Sequence, residues 1–91
     1  MPSAAIHVAK VRRLFPDRAD EVSRLALCNE TFRSLCEEYG LAVDTLDRLE
    51  VANRPHDVER MYEYRALIKE LEGDLKSELL GSHDTRARFG S

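Results

Sequence analysis

An unbroken heptad repeat of apolar residues runs through the middle of this chain and limits its fold more than any other sequence feature. Two apolar series, offset by three residues, each recur every seven positions: Leu25, Phe32, Tyr39, Leu46 and Cys28, Leu35, Ala42, Leu49. Such series form the a and d positions of a helix that buries one narrow stripe. The repeat therefore predicts one long helix over residues 17–51.

A second apolar stripe with helical spacing follows a predicted turn at residues 52–54. Proline is favoured at the first position of a helix, so Pro55 marks the start of a second helix over residues 55–80. Gly81 is a typical residue after a helix end. Residues 81–91 lack apolar periodicity and are predicted to form a disordered tail. The second stripe consists of Met61, Tyr64, Ile68, Leu71, Leu75 and Leu79.

A short turn makes two consecutive helices antiparallel neighbours. The expected fold is therefore an all-α, antiparallel two-helix hairpin with a coiled-coil-like seam. A short amphipathic helix within residues 1–16 is expected to precede it. The two apolar stripes, without Ala42, form the predicted seam for both the core and self-association.

Both stripes are wider than a two-helix hairpin can cover. A domain of this size gains little stability from a single thin core, and association is one common remedy. The predicted assembly is a homodimer that forms a four-helix bundle, with the N-terminal segment packed on the first helix or on the second subunit. The residues that an isolated hairpin would expose are Val22, Cys36, Val43, Tyr62 and Leu67.

Gly40 separates this fold from its main alternative. In a continuous helix Gly40 lies off the seam, and Gly40→Ala is expected to stabilise the chain by up to about 1 kcal/mol. A break at Gly40 would instead create a helix-turn-helix, and the chain would be a DNA-binding regulator using residues 35–50. That segment carries Asp44 and Asp47 with few bases. Because phosphate repels carboxylates, this charge argues against nucleic acid as a partner.

Composition supports one small domain. The chain has 91 residues, a net charge of -3 and 34 % charged residues. No apolar run approaches the roughly 20 residues that span a membrane, and no secretory signal is evident, so a cytoplasmic location is expected. A basic N-terminal segment with Lys10, Arg12 and Arg13 precedes the acidic body, and whether it contacts a partner stays open.

Reactive residue types are present, but none forms a site with recognisable spacing. Cys28 and Cys36 are too few for a disulfide scaffold and are expected to pack as small apolar residues in a reducing compartment, although a redox role stays open. His7, His56 and His83 lie in different segments, so neither a metal nor another cofactor is expected. The chain is therefore expected to be a structural or adaptor protein rather than an enzyme, with an unknown protein partner.

The order of its segments gives the chain a family likeness. LFP is followed by a heptad helix that ends in LDRLE, a short turn and YRALIKELEGDLKSELL. This order, over residues 13–80, resembles the YdcH-like family of short bacterial helix-loop-helix proteins. The resemblance implies an antiparallel hairpin that self-associates, and it carries over no catalytic residue.

Overall fold

Four helices form the described part of the chain. The computed structural model describes the backbone of residues 2–90 and the side chains of residues 6–81. Within these residues all regular structure is helical, so the all-α prediction is confirmed. The helices are α1 (Pro2–Leu14), α2 (Ala19–Cys28), α3 (Glu30–Ala52) and α4 (Val58–Gly90), and single 3₁₀ turns, Pro16–Arg18 and Pro55–Asp57, precede α2 and α4.

The long helix predicted over residues 17–51 is broken at Asn29. Asn29 is extended (φ -129°, ψ 108°), and its side chain accepts a hydrogen bond of 3.1 Å from the Phe32 amide. An asparagine that caps a helix in this way satisfies an amide which would otherwise lack a partner. The Arg33 guanidinium donates to the Ala26 carbonyl at the end of α2 (3.1 Å). Both helix ends at the break are therefore held by side chains.

We predict that Asn29→Ala lowers the free energy of unfolding by about 1 kcal/mol, because it removes the cap of α3. Asn29→Asp is the matched control, since a carboxylate also caps helices well and favours the positive end of the helix. Chemical denaturation followed by circular dichroism measures both variants. A gain in stability for Asn29→Ala would contradict the break, because alanine favours a continuous helix.

The second turn lies where the sequence predicts it, and specific residues end α3 and begin α4 there. Asn53 adopts the left-handed conformation (φ 50°), and its amide donates to the Leu49 carbonyl at 2.9 Å, which ends α3. Pro55 then begins a 3₁₀ turn instead of the predicted α-helix. The buried Asp57 accepts a hydrogen bond of 2.9 Å from the Arg54 guanidinium. This ion pair holds the start of α4.

The far end of α4 differs from the sequence-based expectation. The helix continues through Gly81 to Gly90, whereas residues 81–91 were predicted to be disordered. No described glycine has a positive φ, so Gly81 does not make the left-handed turn that ends many helices. Ser91, the last residue of the predicted tail, lies outside the described residues.

The central helix is α3, which contacts each of the other three. It supplies Phe32, Cys36, Tyr39 and Ala42 to a core that also includes residues of every other helix. The remaining buried members of this core are Val11 from α1, Val22 and Ala26 from α2, and Leu71, Leu75 and Leu79 from α4. The molecule measures 52 × 30 × 22 Å, and its length reflects the long α4.

The N-terminal segment covers surface that the sequence assigned to a second subunit. It packs on both α2 and α3. Val22 and Cys36, which were expected to be exposed in an isolated chain, are fully buried. Because the chain turns at Asn29, α1 and α2 lie beside α3 instead of extending beyond it. Part of the sequence-based argument for a dimer is therefore removed.

The helices α1 and α3 approach each other closely at Gly40. The helix α3 passes through this residue without interruption, so the turn required by the helix-turn-helix alternative is not formed. A Cβ built on Gly40 would lie 2.7 Å from the Cβ of His7 on α1 and still closer to the His7 ring. His7 is itself buried, and its Nδ1 has no hydrogen-bond partner among the described residues. Only glycine leaves room for α1 at this distance.

The expected effect of Gly40→Ala consequently reverses. We predict a loss of about 1–3 kcal/mol in the free energy of unfolding, because the added methyl group forces α1 away from α3. The matched control is Gly73→Ala in α4, where an added Cβ meets nothing within 4 Å. The control is expected to gain up to about 1 kcal/mol from helix propensity. Thermal melts compare the two variants, and equal gains would contradict the close contact of α1.

Candidate functional site

The predicted seam residues fall into three groups in the structure. Those that are buried are Phe32, Tyr39, Leu49, Met61, Leu71, Leu75 and Leu79. Those that are half-buried are Leu25, Leu35, Leu46, Tyr64 and Ile68. Cys28 alone is exposed, so it does not belong to the core of the single chain. It is the last residue of α2, directly before the break at Asn29.

The two cysteines have opposite environments. Cys28 is exposed at the end of α2, whereas Cys36 is fully buried in α3, and both are free. Burial, helped by the nearby Glu37 carboxylate, raises the pKa of the Cys36 thiol to about 11. A thiol in this state is a poor nucleophile near neutral pH because the thiolate is the reactive form. The Cys36 side chain therefore acts as an apolar residue of the core.

A thiol reagent is expected to modify only one cysteine rapidly near neutral pH. Cys28→Ser should abolish the fast reaction with a disulfide reagent, and Cys36→Ser should leave its rate unchanged. The reaction of Cys36 should appear only on unfolding or as the pH approaches about 11. Two equally fast thiols in the native protein would contradict this burial pattern.

The described residues offer no site for a metal. No group of three His, Cys, Asp or Glu side chains among them could hold an ion. His7 lies against Gly40, and the exposed His56 lies beside Asp57, with 3.8 Å between Nε2 and Oδ1. The side chain of His83 lies outside the described residues.

One side of α3 is closed by α1. His7 occupies the notch at Gly40, and one turn further along Lys10 pairs with Asp44 at 3.3 Å. Val11 of α1 is fully buried in the core. Arg12 and Arg13 are exposed at the end of the same helix. One of the three basic residues of the N-terminal segment, Lys10, therefore forms an ion pair within the chain.

An apolar depression lies on the opposite side of α3, in the angle between α3 and α4. From α3 it is lined by Leu41, Ala42 and Thr45, and from α4 by Tyr64 and Leu67. The side chain of Leu41 is 59 % exposed and that of Leu67 is 39 % exposed. The Thr45 hydroxyl donates a hydrogen bond to the Leu41 carbonyl at 2.8 Å, so this donor is already satisfied within α3. We call this surface the α3–α4 groove.

Charged residues border the groove. Arg60 and Glu63, one turn apart on α4, line a second depression together with Tyr64 and Leu67. Both charged side chains are exposed. Glu38 borders the groove on α3. The groove is therefore an apolar strip with charges of both signs at its edge, as is common where protein surfaces meet.

Sequence reasoning anticipated part of this surface. Leu67 was among the residues expected at a dimer contact, but Leu41 was not, because it lies outside the heptad series. Tyr62, also expected at a contact, lies under the Arg65 guanidinium, 5.8 Å from its ring centre. Arg65 also pairs with Glu50 at 2.9 Å. The periodicity of α3 could not reveal Leu41, because an exposed leucine becomes notable only when a neighbouring helix completes the groove.

Comparisons with known proteins find no family model, no curated protein and no solved structure that matches this chain. The resemblance to the YdcH-like family therefore stays a prediction. Within the part of the chain that the structure describes, no helix is long and apolar enough to cross a membrane.

Proposed function

We propose that this chain is a non-enzymatic, self-associating helical protein that acts as a structural or adaptor protein through protein–protein contacts. The observation that carries the proposal is the α3–α4 groove. Leu41 and Leu67 leave apolar surface in contact with water on a chain that has already buried a core. A contiguous apolar surface with a polar border is typical of a protein interaction site.

The α3 and α4 helices are the interacting unit in this proposal. Side-chain positions support an antiparallel hairpin: Glu50, near the end of α3, pairs with Arg65 in the early part of α4. Earlier in α3, burial and the Glu72 carboxylate further along α4 raise the pKa of the Tyr39 hydroxyl. Two such hairpins joined through their grooves form a four-helix bundle. Cyclic two-fold symmetry is the simplest closed arrangement for identical subunits.

The proposal includes a location in the cytoplasm. Its support is the low cysteine content, since two cysteines are too few for a disulfide scaffold of the kind that oxidising compartments favour. The resemblance to the YdcH-like family adds the same expectation of a self-associating hairpin.

Self-association can be tested by light scattering coupled to size-exclusion chromatography. The protein is expected to have about twice its chain mass of 10.4 kDa at micromolar concentrations. Leu41→Lys should shift it toward the monomer, because a charge in the groove must be desolvated on association. Since Leu41 is exposed in the single chain, the variant should keep its helicity and melting temperature.

The matched control is Leu27→Lys. Leu27 is also an exposed leucine (82 %), but it lies on α2 and does not line the groove. This variant should associate like the wild type. A wild-type protein that is a folded monomer at micromolar concentration would contradict the proposed self-association. Equal effects of the two substitutions would contradict the groove as its site.

A further inference from the structure

The α4 border of the groove suggests how two copies meet. Arg60, Glu63 and Leu67 recur at intervals of three and four residues, so they share one face of α4, and Tyr64 adjoins them. Neither Arg60 nor Glu63 forms an ion pair with another described residue. Their charges are therefore available to a partner.

These charges have a self-complementary order. In a two-fold symmetric contact, every contact occurs twice. If one residue of the first copy meets a second residue of the other copy, the reverse contact between the same two positions also forms. When two α4 helices cross antiparallel with the two-fold axis between residues 61 and 62, Arg60 of one copy lies opposite Glu63 of the second copy, and the reverse pair forms as well. A parallel crossing would instead bring like charges together, which is unfavourable.

We propose that the partner in the α3–α4 groove is a second copy of this chain, bound with the two α4 helices antiparallel and with reciprocal Arg60–Glu63 pairs. The inference rests on the proposed self-association and adds the orientation and the residues that select it. The two charge pairs set the register, and Leu41, Tyr64 and Leu67 of each groove then face the start of the second copy's α4 and supply the apolar part of the contact. Charges at the edge of an interface chiefly provide this kind of specificity.

Charge exchange between copies tests the orientation. Arg60→Glu leaves two acidic residues on the contact, and Glu63→Arg leaves two basic ones. Each variant alone should self-associate about tenfold more weakly than the wild type, because both reciprocal pairs become repulsive. An equimolar mixture of the two variants should recover wild-type affinity as a heterodimer, since both pairs then again join opposite charges. The double variant R60E/E63R should recover it as a homodimer.

Sedimentation velocity of the single variants, their mixture and the double variant gives the dissociation constants. Lys69→Glu is the control for net charge, because Lys69 is exposed on α4 but lies two residues from Leu67 and so does not share its face. It should associate like the wild type. Since Arg60 and Glu63 are exposed, circular dichroism should show unchanged helicity in every variant.

The outcomes separate this inference from the proposed function. If Arg60→Glu and Glu63→Arg associate like the wild type while Leu41→Lys does not, the groove is the contact but the antiparallel arrangement is wrong. If the single variants are weakened and their mixture is not restored, the reciprocal pairs are also wrong. A monomeric wild type would overturn both the proposed function and this inference.

Discussion

The packing of α1 against α3 at Gly40 determines which surfaces of this chain are buried and which are left exposed. The missing side chain lets His7 sit directly on the backbone of α3, and the Lys10–Asp44 pair extends the contact by one turn. At that separation Val11 reaches the core and Cys36 is removed from water. The contact thus uses a short N-terminal helix to cover one side of the central helix.

The break at Asn29 makes this arrangement possible. A continuous helix would carry residues 19–28 in line with α3, so they could not pack against its side. The capped turn instead brings α2 beside α3, so that Val22 and Ala26 join the same core. The surface around Leu41 stays exposed in the angle between α3 and α4.

The candidate surface could be predicted only in part. The stripes identified Leu67 as a residue at the edge of the core, and their width indicated that two helices were insufficient. The stripes did not show whether the same chain or a partner buries each of the additional apolar residues. Val22 and Cys36 are covered within the chain, whereas Leu41 and Leu67 are not. The difference depends on the direction of α1 and α2 after two turns, and apolar periodicity carries no information about that direction.

By itself the sequence determined the helical class, the turn near Asn53 and most residues of the core, because apolar spacing and turn-forming residues act over a few positions. Only the tertiary structure decided that the first long helix breaks at Asn29 and that Gly40 is needed for close packing. The heptad repeat continues through both residues. It indicates which side chains face the core, but it contains no information about where the backbone turns. An asparagine cap competes locally with the helix, and whether it ends the helix depends on the packing gained when the chain turns.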